Sequence, residues 1–126
     1  MFKDKTVLDI GCGEGKDAVF FARNGYNVTA FDYADSGLEK ARSLAERFGV
    51  EINFFKADIN DFRLTENYDI VFSSGVFHYI KPEIRSQTVD NIKLHINTGG
   101  IAAINVFVKK PFIERAPDSE SSEENK

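Results

Sequence analysis

Three carboxylates and three glycines share one short stretch near the start of the chain, VLDIGCGEGKD, residues 7–17. Asp9, Glu14 and Asp17 carry the charge, and Gly11, Gly13 and Gly15 alternate between them. Glycines just beyond an apolar run let the main chain turn sharply and let a ligand touch the backbone. A helix that starts behind such a loop aims its unpaired N–H groups into the same space. The acids set the kind of ligand that fits. A diphosphate meets like charge there, whereas a ligand with cationic groups meets attraction. The dinucleotide pattern G-x-G-x-x-G is also broken, because Lys16 stands where the last glycine belongs.

Further chemistry-bearing residues recur at the ends of later apolar runs. Asp32 closes NVTAFD (27–32), 17 positions after Gly15, with Tyr33 next to it. An acid placed so can accept hydrogen bonds from both hydroxyls of a ribose. Asp58 and Ile59 follow INFFKA (52–57), and Ser73, Phe77 and His78 lie in YDIVFSSGVFHYI (68–80). Each has a plainer reading: Asp32 as a helix cap, Asp58 as part of a polar turn with Asn60 and Asp61, His78 as a surface residue. Cys12, the only cysteine, sits near a helix start but reads best as a small residue filling the loop. No spacing of His, Cys and acids suggests a metal site.

The elements that must position these residues are visible as two periodicities. TVLDIG (6–11), NVTAFD (27–32), INFFKA (52–57), YDIVFSS (68–74) and IAAINVFV (101–108) are short apolar runs rich in β-branched and aromatic residues, the pattern of strands covered on both faces. Helical stretches separate several of them. KDAVFFARN (16–24) stops at Gly25; SGLEKARSLAERF (36–48) puts Leu38, Ala41, Ala45 and Phe48 on one stripe. Ser36 and Glu39 fit a capping box, which predicts a helix beginning there. PEIRSQTVDNIKLHIN (82–97) repeats Ile84, Thr88, Ile92 and Ile96 every fourth residue, and NTGG (97–100) is expected to turn the chain into the last strand. Strands alternating with helices predict an α/β fold: a doubly wound, mostly parallel sheet of about five strands with helices on both faces. In such sheets ligands bind beyond the carboxyl ends of the strands, where the strand order reverses.

S-adenosylmethionine, which carries a sulfonium and an α-ammonium and no phosphate, suits the acidic loop. Asp9-x-Gly11-x-Gly13-x-Gly15 resembles the first motif of the class I S-adenosylmethionine-dependent methyltransferases, and GYNVTAFDYADSGLEKA (25–41) is similar to the tellurite-resistance type of small methyltransferases. The resemblance runs from Thr6 to about Val108. It implies a Rossmann-like fold and S-adenosylmethionine as cofactor. It also implies a binding set of Asp9, Gly11, Cys12, Gly13, Gly15, Asp17, Asp32, Tyr33, Asp58, Ile59 and Ser73. By the same resemblance Asp32 binds the ribose, Tyr33 packs on adenine, Asp58 lies near the adenine amino group, and Phe77 and His78 stand at the substrate mouth. No catalytic residue is implied, since methyl transfer rests chiefly on holding an acceptor in line with the methyl–sulfur bond. The usual K-P-G-G before the fifth strand is Asn97-Thr98-Gly99-Gly100 here. Family members add two further strands that make a seven-stranded sheet, and these are expected to be missing here.

Composition bounds the remaining expectations. The chain has 126 residues, a net charge of -4 and one cysteine. An acidic chain argues against sequence-independent nucleic-acid binding, a single cysteine favours a reducing, cytoplasmic location, and no apolar run reaches the length of a membrane span. Residues 1–113 read as a truncated methyltransferase domain and 114–126 as an acidic, disordered tail or linker. An open fifth strand is expected to pair with a second copy through 101–108. The expected function is methyl transfer to a small-molecule acceptor. The alternatives are a module that binds the cofactor without turnover, and a nucleotide-dependent oxidoreductase.

Overall fold

A computed structural model of the chain describes residues 5–74 and 80–105. Phe77 and His78, residues 106–108 of the expected last strand, and the stretch 114–126 expected to be a tail or linker lie outside the described residues. Eight elements follow one another: β1 (Thr6–Ile10), α1 (Lys16–Arg23), β2 (Asn27–Asp32), α2 (Asp35–Arg47), β3 (Asn53–Lys56), β4 (Tyr68–Ser74), α3 (Pro82–Leu94) and β5 (Ile96–Asn105). The strands form a parallel sheet in the order β3-β2-β1-β4-β5. β1 and β4 are therefore neighbours although β2 and β3 come between them in the chain. The chain reverses its direction of winding there, and the carboxyl ends of those strands face an open crevice.

Strand alternation sorts the core into two layers. Val7, Val28 and Ala30 face one side of the sheet, where they pack with Ala18 of α1 and Leu38 of α2. Leu8, Ile10, Phe31 and Val71 face the other, against Ile92 of α3. No helix fills the β3–β4 connection; Ile59 and Leu64 of that segment are buried on the α3 side instead. Phe31, Phe55 and Phe62 stack beside them with ring centroids 4.7–5.4 Å apart. Among the described residues no helix is long and apolar enough to cross a membrane.

Three local expectations differ from what the structure shows. Helix α2 begins at Asp35 with Ala34 as its N-cap and no side-chain cap, so Ser36 and Glu39 form no capping box. The first turn is fixed from outside instead, by Asp32, whose Oδ2 accepts the Ala34 N–H at 3.1 Å. Phe48 leaves the apolar stripe and is 44% exposed, its ring under the Arg23 guanidinium at 4.5 Å. Asn97–Gly100 is a bulge rather than a turn before the strand: Ile96 pairs with Tyr68 and Ile101 with Ile70, so five steps of β5 match two of β4. Asn97 Nδ2 donates to Asp69 Oδ1 at 3.0 Å, and Asp69 Oδ2 accepts the Thr6 N–H at 2.9 Å, which ties β1, β4 and β5 together at their amino ends.

Candidate functional site

The glycine loop extends β1 past its last ladder pair. Cys12 N–H donates to the Phe31 carbonyl at 2.9 Å, and Gly15 N–H closes a turn onto the Cys12 carbonyl at 3.0 Å. Gly11, Gly13 and Gly15 have φ of 70°, 56° and 91°, a left-handed backbone that side-chain-bearing residues rarely adopt. Gly15 has a second constraint, because a Cβ there would lie 2.7 Å from the Ala41 Cβ of α2. Gly37 lets α2 approach from the same side, where a Cβ would come 3.2 Å from the Gly13 carbonyl oxygen.

Asp32 joins the loop to that helix. It is buried, its Oδ1 accepts the Gly13 N–H at 3.3 Å, and its Oδ2 accepts the Ala34 N–H. Each oxygen keeps a lone pair for a further donor. Its main-chain carbonyl takes the Ala57 N–H at 3.0 Å, which holds the end of β3 beside it. Asp58 is exposed and turns back on its own segment: its Oδ1 accepts the Asn60 N–H at 2.9 Å. Asn60 Oδ1 in turn accepts the Lys81 N–H at 2.9 Å, which anchors this turn to the start of α3.

Two clefts meet at Gly11. The first, about 370 Å³, has Phe31 and Ile59 as an apolar floor, Asp32 and Asp58 as acceptors, and Tyr33, 69% exposed, as a flat aromatic wall. Ala57 and Asn60 complete it; the sequence reading assigned neither they nor Phe31 to the site, and the D-I-N-D turn was the signal available for Asn60. The second cleft, about 310 Å³, opens on the α1 side and brings Asp9, Gly13 and Asp17 together, with Cys12 also on its wall. Ser73 lines neither cleft. It pairs with Ile10, so its side chain projects to the α3 face, whereas Asp9 projects to the α1 face. The Ser73 hydroxyl is fully buried and has no hydrogen-bond partner among the described residues.

The second cleft is electrostatically unusual. Asp9 is 2% exposed, and burial, with smaller contributions from the Asp17 and Asp32 charges, pushes its carboxyl up from 3.8 to about 7. Burial first, then Asp9 and Asp32, push the Cys12 thiol up to about 12. Cys12 is thus a protonated space-filler at neutral pH, not an activated nucleophile. The chemistry on offer is recognition: one cleft with an apolar floor and ribose-type acceptors, the other with carboxylates for a cation.

A family model described as a methyltransferase domain matches residues 7–100. The chain is 33% identical over 94 residues to a probable S-adenosyl-L-methionine-dependent methyltransferase TehB of Haemophilus influenzae, which takes in 75% of this chain and 33% of that protein. It is 36% identical over 109 residues to the ubiquinone biosynthesis O-methyltransferase of Rickettsia canadensis, covering 85% of this chain and 45% of that one. The crystal structure of TehB from Haemophilus influenzae superposes with a TM-score of 0.76 at 32% identity, over 80% of this chain and 35% of the other. The chain spans between a third and a half of the length of these curated relatives.

Proposed function

Since the chain belongs to the methyltransferase-domain family, we propose that it binds S-adenosylmethionine across the two joined clefts and serves methyl transfer to a small-molecule acceptor. When bound, the cofactor supplies an electrophilic methyl group. The chain's own residues bind and orient. Asp32 offers its remaining lone pairs to the ribose hydroxyls, Tyr33 and Ile59 sandwich the adenine, and Asp58 accepts from its amino group. The loop Gly11–Gly15, with Cys12 filling its inner side, gives main-chain contact, and Asp9 and Asp17 receive the ammonium end. Of the remaining residues, Ser73 is assigned a place beside the methionine portion, although its buried side chain lines neither cleft, and Phe77 and His78 are assigned to the acceptor side. The observation that carries this reading is the junction at Gly11 of an apolar, ribose-accepting cleft with a carboxylate-lined one. The orphaned Asp9 Oδ2 is a polar atom that a cationic ligand would satisfy.

Thermal unfolding and calorimetric titration with S-adenosylmethionine, S-adenosylhomocysteine and NAD test the reading. The two adenosyl ligands are expected to raise the unfolding temperature and NAD to leave it unchanged. Asp32→Ala is expected to weaken S-adenosylhomocysteine about 10- to 150-fold, the loss of a charge-assisted hydrogen-bond set worth roughly 1.5–3 kcal/mol. Stabilisation by NAD alone would overturn the proposal in favour of nucleotide-dependent redox chemistry. One second reading is a cofactor-binding module without turnover, favoured by clefts whose described lining offers recognition groups and a protonated, unactivated thiol. A radiolabelled methyl-transfer assay across acceptors separates the two.

The same reading extends to the rest of the chain. Residues 1–113 are taken as the cofactor-binding domain and 114–126 as an acidic linker. A single buried thiol suits a reducing cytoplasm, and the net charge of -4 disfavours nucleic acid as a partner. The outer edge of β5 is the surface for pairing with a second copy.

A further inference from the structure

Asp9 is enclosed by groups that leave its charge uncompensated. Asp17 of α1 and Asp32 of β2 are the charges that face it. β4 presents Phe72 opposite Asp9 in the ladder, and Phe72 packs on Phe21 of α1 with ring centroids 5.4 Å apart, so that side is apolar. Glu14 and Lys16 stand on the outer wall of the cleft and are exposed. The neighbouring Cys12 thiol is neutral. Asp9 nevertheless lines the cleft, and its Oδ2 accepts no hydrogen bond from the described residues. A buried carboxylate among carboxylates is costly, and the cheaper state is the protonated acid.

Resting on the cofactor reading above, we propose that Asp9 is a neutral carboxylic acid in the free chain and releases its proton when the α-ammonium of the ligand's zwitterionic amino-acid end docks beside it. The O–H bond of the Asp9 carboxyl breaks, the proton passes to solvent, and the ligand ammonium neutralises the carboxylate that remains. Nothing is oxidised or reduced. Binding is thereby linked to pH across neutrality. Affinity for S-adenosylhomocysteine falls about tenfold for each unit of pH below 7 and levels off above it. A ligand that keeps the adenosine but lacks the amino-acid end shows no such slope.

Calorimetric titration of the full chain at pH 6 in buffers of differing ionisation enthalpy reads the proton directly. S-adenosylhomocysteine is expected to release about one proton per ligand bound, and 5′-methylthioadenosine none. Asp9→Asn, which copies the neutral acid in shape, is expected to bind S-adenosylhomocysteine with no proton release and no pH slope. Binding by the wild-type chain with heats independent of buffer would overturn the inference while leaving the cofactor reading intact. If neither adenosyl ligand binds, the cofactor reading fails instead. The proton-release step fails with it; if only Asp9→Asn does not fold, carbon-13 NMR of the free wild-type chain still decides. An Asp9 carboxyl titrating near neutrality supports the inference, and one titrating near 4 overturns it.

Discussion

Two aspartates pull the stability of the chain in opposite directions with pH. Asp9 is raised by burial from 3.8 to about 7, so between those values the folded chain keeps a proton that the unfolded chain has lost. The ligand-free protein therefore loses stability as pH rises through that window, by about 2–4 kcal/mol in all. Asp69 is held below the ordinary carboxylate value, first by the Thr6 N–H and then by Asn97. Its contribution is present above the unfolded value and fades as pH falls through the folded one. Thermal unfolding of the ligand-free chain is thus expected to show a midpoint that declines from about pH 4 to about 7. Asp9→Asn is expected to flatten that decline, and identical curves for the two proteins would assign the slope to another group. The sequence made Asp9 and Asp32 legible as acids at strand ends, because apolar runs mark where strands stop. It also offered Asp58 as part of a polar turn with Asn60, which the structure shows, but it did not reveal that Asp32 braces two backbone segments. Hydrogen-bond partners 19 residues apart, as Gly13 and Asp32 are, leave no local pattern.

Packing between elements explains which glycines are indispensable. Gly15 combines a φ of 91° with a Cβ position 2.7 Å from Ala41, so Gly15→Ala incurs both backbone strain and a clash with α2. The expected cost is about 2–4 kcal/mol, read by denaturant unfolding. Adding Ala41→Gly is expected to return only part of the steric cost, because the Ala41 Cα, 2.8 Å from the same position, stays in place. A Gly15→Ala variant as stable as the wild-type chain would show that the α1–α2 approach is looser than described. Gly100 is required for a different reason: a Cβ there would lie 2.5 Å from the Asp69 carbonyl oxygen, inside the bulge. Glycine in NTGG signalled a bend, but not whether the bend lay before the strand or within it. Ser36 misled in a related way. A capping pattern is a local preference, and here a carboxylate four residues earlier, Asp32, secures the helix start instead.

At the scale of the molecule, alternation of apolar runs and amphipathic helices was enough to predict the parallel α/β sheet, since parallel strands need crossovers and crossovers leave few topologies. The helix-free β3–β4 connection was legible only as a gap between two runs. β5 ends the described sheet, with Ile101 59% exposed on it. Ile101→Lys is expected to shift the chain from dimer to monomer in sedimentation velocity, because a charge on an edge strand opposes pairing. A wild-type chain that stays monomeric at high concentration would remove the basis for that pairing. Every described strand runs the same way, so the acids of the clefts gather at one end of the sheet, while Thr6, Asp69 and Asn97 clasp the other. The two ends are separate handles on one object. Changes at the clasp register as robustness with recognition untouched, whereas Asp9, Gly15 and Asp32 serve the clefts and the fold at once, and so the ligand preference of such a chain drifts only as far as its stability allows.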